Sequence, residues 1–328
     1  MSSSPAIQVQ GLGKTYGSVT AIQDISFSVE EGEIFGLLGP NGAGKSTTLR
    51  ILITVLRPTT GTVSVLGHNV VEEPDTVRSL IGYVPQERAI DRFLTGREHL
   101  ELLGDLYHLD KTEAKKRIQQ LLHLVDLESQ ADRPAKTYSG GMKRKLDIAC
   151  GLLPHPKVLF LDEPTLGLDV QSRLRIWDYI RQLKSQGMTI VMTTNYLEEA
   201  DQLCDRLAII DDGRIRIIGT PKELKAGLGG DSLTLTVEES KIPQLDRLAS
   251  GLKSLASIRD LQVRSHGLEI RVDSPEKSLP AVLEVAGQVD CPIEGIEYHR
   301  PRLDDVFVAY TGHGMKGEFP DADETEGT

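Results

Sequence analysis

Residues 39–47, GPNGAGKST, constrain the fold of this 328-residue chain more than any other stretch. They follow a short apolar strand pattern, IFGLL, and precede a helical pattern, STTLRILITVL, that closes at Pro58. Glycines between a strand and a helix let backbone N–H groups turn towards phosphate oxygens. An ordinary glycine-rich turn is the alternative, but the flanking strand and helix favour a phosphate-binding loop.

Two side chains of this loop have predicted roles in binding a nucleoside triphosphate. Lys45 is expected to reach the β- and γ-phosphates and to assist catalysis, and Ser46 is expected to ligate Mg²⁺. The residues predicted to surround the phosphates are Gly39, Pro40, Asn41, Gly42, Ala43, Gly44, Lys45, Ser46 and Thr47.

A second pattern, VLFLDEP, is an apolar strand that ends in two carboxylates. Asp162 is placed to hold Mg²⁺ through water. Glu163 follows where the backbone leaves the strand, so it can activate a water in line with the γ-phosphate as a general base. The alternative is a solvated acidic pair at a helix start, where carboxylates are favourable in any case.

A third pattern, YSGGMKRKLDIA at residues 138–149, precedes a helix whose first turn is basic. Helix N-termini with free amides bind anions. Basic residues there oppose the helix dipole, so Lys143, Arg144 and Lys145 are expected to serve a purpose other than helix stability. Taken alone, Ser-Gly-Gly is also a common helix cap and loop.

Residues 190–201, IVMTTNYLEEAD, change from a strand to a helix at Asn195. Asn is a good helix N-cap. Ligands of open α/β sheets bind beyond the carboxyl ends of strands, which favours a ligand contact as well. With the phosphate loop, Asp162 and Glu163 at the same crevice, Asn195 is predicted to contact the γ-phosphate side, and both roles can coexist.

The rest of the chain suggests two domains. Residues 6–35 alternate like antiparallel strands, and residues from about 98 to 156 have helical apolar spacing. The run AGLGGD reads as a linker. Beyond it the pattern β-α-β-β-α-β predicts a ferredoxin-like domain. The predicted limits are 1–227 and 228–312, with an acidic disordered tail at 313–328.

The patterns together resemble the ATP-binding-cassette (ABC) ATPases over roughly residues 6–225. The resemblance implies an α/β P-loop ATPase with a RecA-like mixed sheet, an antiparallel β subdomain and a helical subdomain at about 88–156. Its implied ligands are ATP and Mg²⁺, with Ser46, Gln86 and Asp162 at the metal. The other implied nucleotide contacts are Tyr16, which stacks on adenine, the signature residues Ser139, Gly140 and Gly141, and Asp169. Two positions depart from the family pattern: Met142 stands where Gln is usual, and Asn195 where His is usual.

The match extends to the ATPase subunits of daunorubicin/doxorubicin-resistance exporters. In that family a C-terminal motif acts in subunit assembly. Here it corresponds to Leu303, Asp304, Asp305, Val306 and Phe307. An amphipathic terminal helix that docks on its own domain is the alternative, and both can hold.

The resemblance implies a cytoplasmic ATPase, peripheral on the inner face of the cell membrane, that forms a head-to-tail homodimer and drives a separate integral-membrane permease. No run of 18 apolar residues occurs, so no spanning segment is predicted. The net charge of −11 argues against a nucleic-acid partner. The alternatives are a nucleotide-dependent switch without useful turnover and a soluble ABC ATPase outside transport.

Overall fold

The computed structural model describes residues 4–87, 89–272 and 274–315. It forms two compact units, and the chain passes from the first to the second between Pro221 and Lys222. Most of the predicted acidic tail, residues 316–328, lies outside the described residues. Among the helices of the described residues, none combines the length and apolar character needed to cross a membrane.

The first unit contains strands interspersed with helices along the chain. Its strands are β1 (Ile7–Tyr16), β2 (Val19–Val29), β3 (Ile34–Leu38), β4 (Thr60–Val65), β5 (His68–Asn69), β6 (Ile81–Val84), β7 (Val158–Asp162), β8 (Thr189–Thr194), β9 (Arg206–Asp211) and β10 (Arg214–Gly219). Its helices are α1 (Lys45–Leu52), α2 (Pro74–Leu80), α3 (Gly96–Leu106), α4 (Lys111–Leu124), α5 (Gly140–Leu152), α6 (Val170–Ser185) and α7 (Leu197–Leu203).

Two sheets form the core of this unit. The six-stranded sheet has the order β10-β9-β3-β8-β7-β6 and is parallel except for β10. Every residue of β3, β7 and β8 is buried, which explains their continuous apolar sequences. The antiparallel sheet β2-β1-β4-β5 shares one hydrophobic cluster with it, and the rings of Phe27 and Phe35 stack at 5.2 Å between the two.

The helices α3, α4 and α5 form the predicted helical insertion between β6 and β7. Their first turns are capped by side chains. Thr95 and Glu98 make a capping box for α3, Asp110 caps α4, and Ser139 caps α5 by accepting from Met142 N. The predicted fold class of this unit is therefore confirmed.

The second unit has an antiparallel sheet covered by two helices. Its elements are β11 (Asp231–Val237), α9 (Leu245–Leu252), β12 (Ile258–Arg264), β13 (Gly267–Val272), α10 (Pro275–Gln288), β14 (Ile293–His299) and α11 (Leu303–Thr311), after α8 (Pro221–Ala226). The sheet order β12-β13-β11-β14 is the ferredoxin-like arrangement. The sequence predicts the boundary at Gly227, where the glycine-rich run begins. That run follows the end of α8, whereas the two units divide at the start of α8.

The terminal helix α11 is amphipathic. Leu303, Val306 and Phe307 are buried, whereas Asp304 is exposed. Asp305 accepts from the backbone N–H of Arg302 and lies 2.9 Å from the His299 ring. A terminal helix that buries its apolar members within its own chain matches the docking alternative; its use in subunit assembly stays a prediction.

Candidate nucleotide site

The candidate site lies at the carboxyl edge of the parallel sheet. In the strand register, Leu38 at the end of β3 is level with Thr194 of β8, and Asp162 of β7 is level with Thr193. Because these strands are parallel and adjacent, the loops that follow them open on the same side. The phosphate loop, the Asp162–Glu163 pair and Asn195 therefore meet at one edge, as the sequence predicts.

The phosphate loop bounds an open cavity of about 320 Å³. Its backbone reaches α1 through Gly44, which has φ +102°. A β-carbon at this position would lie 2.7 Å from the Ala21 carbonyl oxygen, so only glycine fits the turn. The cavity is lined by Ala21, Asn41, Gly42, Gly44, Lys45, Ser46, Thr47, Gln86 and Glu163.

Lys45 is 4 % exposed and bends back over its own loop. Its Nζ donates to the carbonyl oxygens of Gly39 (2.7 Å) and Pro40 (3.0 Å), and lies 3.6 Å from Glu163 Oε1. Burial lowers the pKa of Lys45, and the Glu163 carboxylate opposes that shift. The ammonium is thus held inside the cavity by acceptors that phosphate oxygens can replace.

The Asp162 carboxylate, at the end of β7, is hydrogen-bonded to two hydroxyl groups. Ser46 Oγ lies 3.1 Å from Asp162 Oδ1, and the Thr193 hydroxyl donates to the same oxygen at 2.5 Å. A hydroxyl and a carboxylate beside a phosphate loop are the hard oxygen donors that suit Mg²⁺. Gln86, the third predicted metal residue, instead donates from Nε2 to Glu163 Oε2 at 3.1 Å.

Glu163 is buried and adopts φ +45°, an uncommon conformation for a residue other than glycine. Its N–H donates to the carbonyl oxygen (3.2 Å) and hydroxyl (3.0 Å) of Thr193. This backbone turn sends the side chain into the cavity, where Lys45 and Gln86 flank the two carboxylate oxygens.

Asn195 does not cap α7. The N-cap position is Tyr196, which makes no side-chain capping bond, so the N-cap alternative for Asn195 is wrong. The Thr194 hydroxyl, rather than the Asn195 amide, accepts a hydrogen bond from Tyr196 N–H at 3.0 Å. The Asn195 amide therefore has no capping function. Its Oδ1 is buried and has no hydrogen-bond partner within the part of the chain that the structure describes.

Comparison with known proteins identifies the family. The "ABC transporter" family pattern matches residues 22–166, and the pattern "ATP-binding protein DrrA1-3-like, C-terminal domain" matches residues 219–311. The daunorubicin/doxorubicin resistance ATP-binding protein DrrA of Streptomyces peucetius is 42% identical over 309 residues, which cover 94% of this chain and 93% of that protein. This chain belongs to the ATP-binding subunits of ABC transporters.

Other members of this family align over nearly the whole chain. The linearmycin resistance ATP-binding protein LnrL of Bacillus subtilis is 39% identical over 94% of this chain and 99% of its own length. The Nod factor export ATP-binding protein I of Ralstonia nicotianae is 38% identical over 96% of each chain.

Solved ABC ATPase structures match the first unit in extent. An ATP-binding subunit of an ABC transporter has a TM-score of 0.61 at 32% identity, over 68% of this chain and 93% of its own. A dimeric ATP-binding cassette in a post-hydrolysis state with ADP and Pi has a TM-score of 0.59 at 28% identity, over 65% and 98% of the two chains. The chain is an ABC-type ATPase.

Several ABC residues predicted from the sequence do not line the cavity of a single copy. Among the described residues, its lining lacks Tyr16, Asp169 and the signature residues 139–141. Tyr16 ends β1 and is 44 % exposed, and the Lys14 ammonium lies over its ring, 5.0 Å from the centroid. The stacking of Tyr16 on adenine stays a prediction.

The signature loop and Asp169 both lie beside Ser172 of α6. Asp169 caps α6 by accepting from the N–H and hydroxyl of Ser172. These hydrogen bonds lower the pKa of Asp169. A β-carbon at Gly141 would come within 2.6 Å of Ser172 Oγ, so the second glycine of the signature allows α5 and α6 to approach.

Three polar residues of this ABC subunit's core were not assigned a role in the site from the sequence. Thr193 binds both Asp162 and Glu163, but no charge or motif distinguishes it from other strand residues. Glu199 is fully buried, although it lies in the acidic first turn of α7 next to the exposed Glu198. Arg144 was noted only because it opposes the helix dipole; it is 3 % exposed and directed at backbone carbonyls.

Proposed function

We propose that this chain is the ATP-hydrolysing subunit of an exporter, and that it drives a separate integral-membrane permease from the inner face of the cell membrane. The observation that carries the proposal is the meeting of Lys45 and Glu163 in one cavity at the sheet edge, beside Asp162, which is hydrogen-bonded to the lining residue Ser46. The names of the linearmycin resistance and Nod factor export relatives support export as the use of the ATPase.

In the proposed site, backbone amides of residues 39–47 hold the phosphates of ATP. The Lys45 ammonium already lies against the phosphate loop, where it donates to the carbonyls of Gly39 and Pro40. When ATP binds, phosphate oxygens replace these carbonyl acceptors. Ser46 and Asp162 hold Mg²⁺, with Gln86 close by; when bound, the ion neutralises charge on the β- and γ-phosphates.

Glu163 then acts on the attacking water. The water oxygen bonds to the γ-phosphorus, its proton passes to a Glu163 carboxylate oxygen, and the bond to the bridging oxygen breaks to leave ADP. The Asn195 amide cannot ionise, but it carries both an acceptor and two donors whose positions exchange when the amide turns. Its NH₂ is proposed to donate to the γ-phosphate.

Two copies are proposed to complete each site. Ser139, Gly140 and Gly141 form the N-terminal end of α5, where backbone N–H groups favour an anion, yet this end is not part of the cavity of its own chain. A head-to-tail pair would bring the signature of one copy to the ATP of the other. The solved cassette that is dimeric in a post-hydrolysis state supports the pairing of two copies.

The decisive experiment is Glu163→Gln. Because a positioned general base contributes about 10²–10⁴ in rate, phosphate release should nearly vanish while ATP still binds. The variant should also accumulate an ATP-bound dimer in size-exclusion chromatography. Glu198→Gln is the matched control, since Glu198 is an exposed acid on α7. Retention of more than about a tenth of the native rate would contradict the assignment, given that range.

The second unit is proposed to act in assembly or regulation rather than in catalysis. Deletion of residues 229–328 should leave a protein that binds ATP but couples poorly to its permease. The first measurement is the ATP affinity of the truncated chain. The second is the amount of that chain recovered with membranes that contain the permease. Loss of ATP binding in a well-folded truncation would show this division of roles to be wrong.

A further inference from the structure

Arg144 lies in the second turn of α5 and donates to four main-chain carbonyls. Its Nε donates to the Pro164 carbonyl at 2.7 Å, and Nη1 donates to the Pro85 carbonyl at 2.6 Å. Its Nη2 donates to the carbonyls of Asp162 (2.9 Å) and Glu163 (3.2 Å). The guanidinium therefore binds two separate segments of the nucleotide site at once.

The planar shape of the guanidinium explains why arginine suits this position. Three of its acceptors are the consecutive carbonyls of residues 162–164, where the chain leaves β7 and turns through the positive φ of Glu163. A fork of donors in fixed geometry can satisfy such a cluster, whereas the ammonium of lysine is a single point. Asp147, one turn further along α5, lies 3.9 Å from Nη1 and balances the buried charge.

These bonds hold the main chain of Glu163 from both sides. Thr193 accepts its N–H, and Arg144 donates to its carbonyl. The fourth acceptor, Pro85, immediately precedes Gln86, whose amide binds the Glu163 carboxylate. Arg144 thus holds the backbones of the two residues whose side chains meet in the cavity.

We propose that Arg144 is a positioning residue for hydrolysis, which fixes Glu163 relative to Gln86 and makes both follow the movement of α5. This inference rests on the proposed role of Glu163 as general base. In the proposed head-to-tail pair, the N-terminal end of α5 faces the ATP of the partner subunit. Alignment of the base in one copy then depends on the nucleotide held by the other.

The test compares Arg144→Lys with Lys116→Gln, which removes an exposed lysine charge from α4 in the same helical subdomain. Since a misplacement of 1 Å can cost about a hundredfold, kcat of Arg144→Lys should fall by about tenfold to a hundredfold. KM and the affinity for a non-hydrolysable ATP analogue should change by less than about threefold, because no bond to the phosphate loop is lost. Lys116→Gln should retain native kcat.

A double-mutant cycle with Glu163→Gln separates positioning from general damage. If Arg144 acts through Glu163, adding Arg144→Lys to Glu163→Gln should change the residual single-turnover rate by less than about twofold. The cooperativity of ATP hydrolysis, measured as a Hill coefficient, should also fall in Arg144→Lys. Arg144→Gln removes the buried cation and tests the same geometry if the lysine variant does not fold.

Two results would overturn the inference alone: a native kcat in Arg144→Lys, or the same tenfold loss in both backgrounds. A native rate in Glu163→Gln would overturn both the general-base assignment and the inference that rests on it. A loss in Glu163→Gln with a native Arg144→Lys keeps the proposed function and rejects the positioning role.

Discussion

The parallel sheet of the first unit and the antiparallel sheet of the second bury apolar residues equally well, yet they differ in what their strand ends bring together. In the first, β3, β7 and β8 end at the same edge, and polar residues from three distant segments meet there. In the second, neighbouring strands run in opposite directions, so the end of one strand lies beside the start of the next. Parallel topology therefore concentrates polar residues at one edge, whereas antiparallel topology distributes them.

Buried polar groups show the same difference. The first unit buries charged side chains that include Lys45, Arg144, Asp162, Glu163 and Glu199. In the second unit, Ser278 is the buried polar side chain among the described residues. Charged residues such as Arg264 and Glu269, which pair across a hairpin, are partly or fully exposed. Burial of charge is costly, so its restriction to the first unit agrees with a division between chemistry and scaffold.

The largest expected effect lies in the second unit. Leu235 is fully buried in β11, so Leu235→Ala should lower the free energy of unfolding of this unit by about 2–5 kcal/mol through the cavity it leaves. ATP affinity should not change. Denaturant unfolding and nucleotide binding measure the two quantities, with the exposed edge residue Val263→Ala as control. A tenfold loss of ATP affinity would break the proposed division between the units.

The next effect concerns Asn195 in the first unit. Asn195→Ala should slow steady-state phosphate release by about tenfold or more, because a hydrogen bond to a charged group is worth about 1.5–3 kcal/mol. Asn195→His should retain or raise the activity and introduce a titration near neutral pH, which the native protein lacks at this position. An unaltered rate in Asn195→Ala would reduce the residue to a structural one.

The smallest effect is a change in how stability depends on pH. Burial raises the pKa of Glu199, against the opposing effects of Thr194, Thr165 and Trp177. Between its unfolded pKa and the raised folded pKa, the folded protein binds this proton more tightly, so native stability falls as pH rises. Glu199→Gln keeps an acceptor for Thr165 and Trp177 but cannot ionise.

The Gln variant should therefore gain more in melting temperature over the native protein at pH 8 than at pH 5. Thermal unfolding of both proteins across this pH range measures the difference. Parallel curves would show that Glu199 ionises in the folded protein as it does in the unfolded chain, and would sharpen the comparison by confirming Glu199 as a buried charge of the first unit.

Local motifs were sufficient to predict the fold class of both units, since strand and helix periodicity survives in the sequence. The phosphate loop and the carboxylate pair were likewise visible because their residues are consecutive. The boundary between the units was less well predicted, because a glycine-rich run marks where α8 ends rather than where packing changes.

The sequence by itself determined which side chains could bind phosphate, hold a metal and accept a proton: Lys45, Asp162 and Glu163. Only the tertiary structure decided what holds them there. Arg144 and Thr193 bind the backbone and side chains of the site, and their partners lie from about 20 to 60 positions away along the chain. Such contacts leave no local pattern, because strand order and helix packing, rather than neighbouring residues, bring the groups within hydrogen-bonding distance.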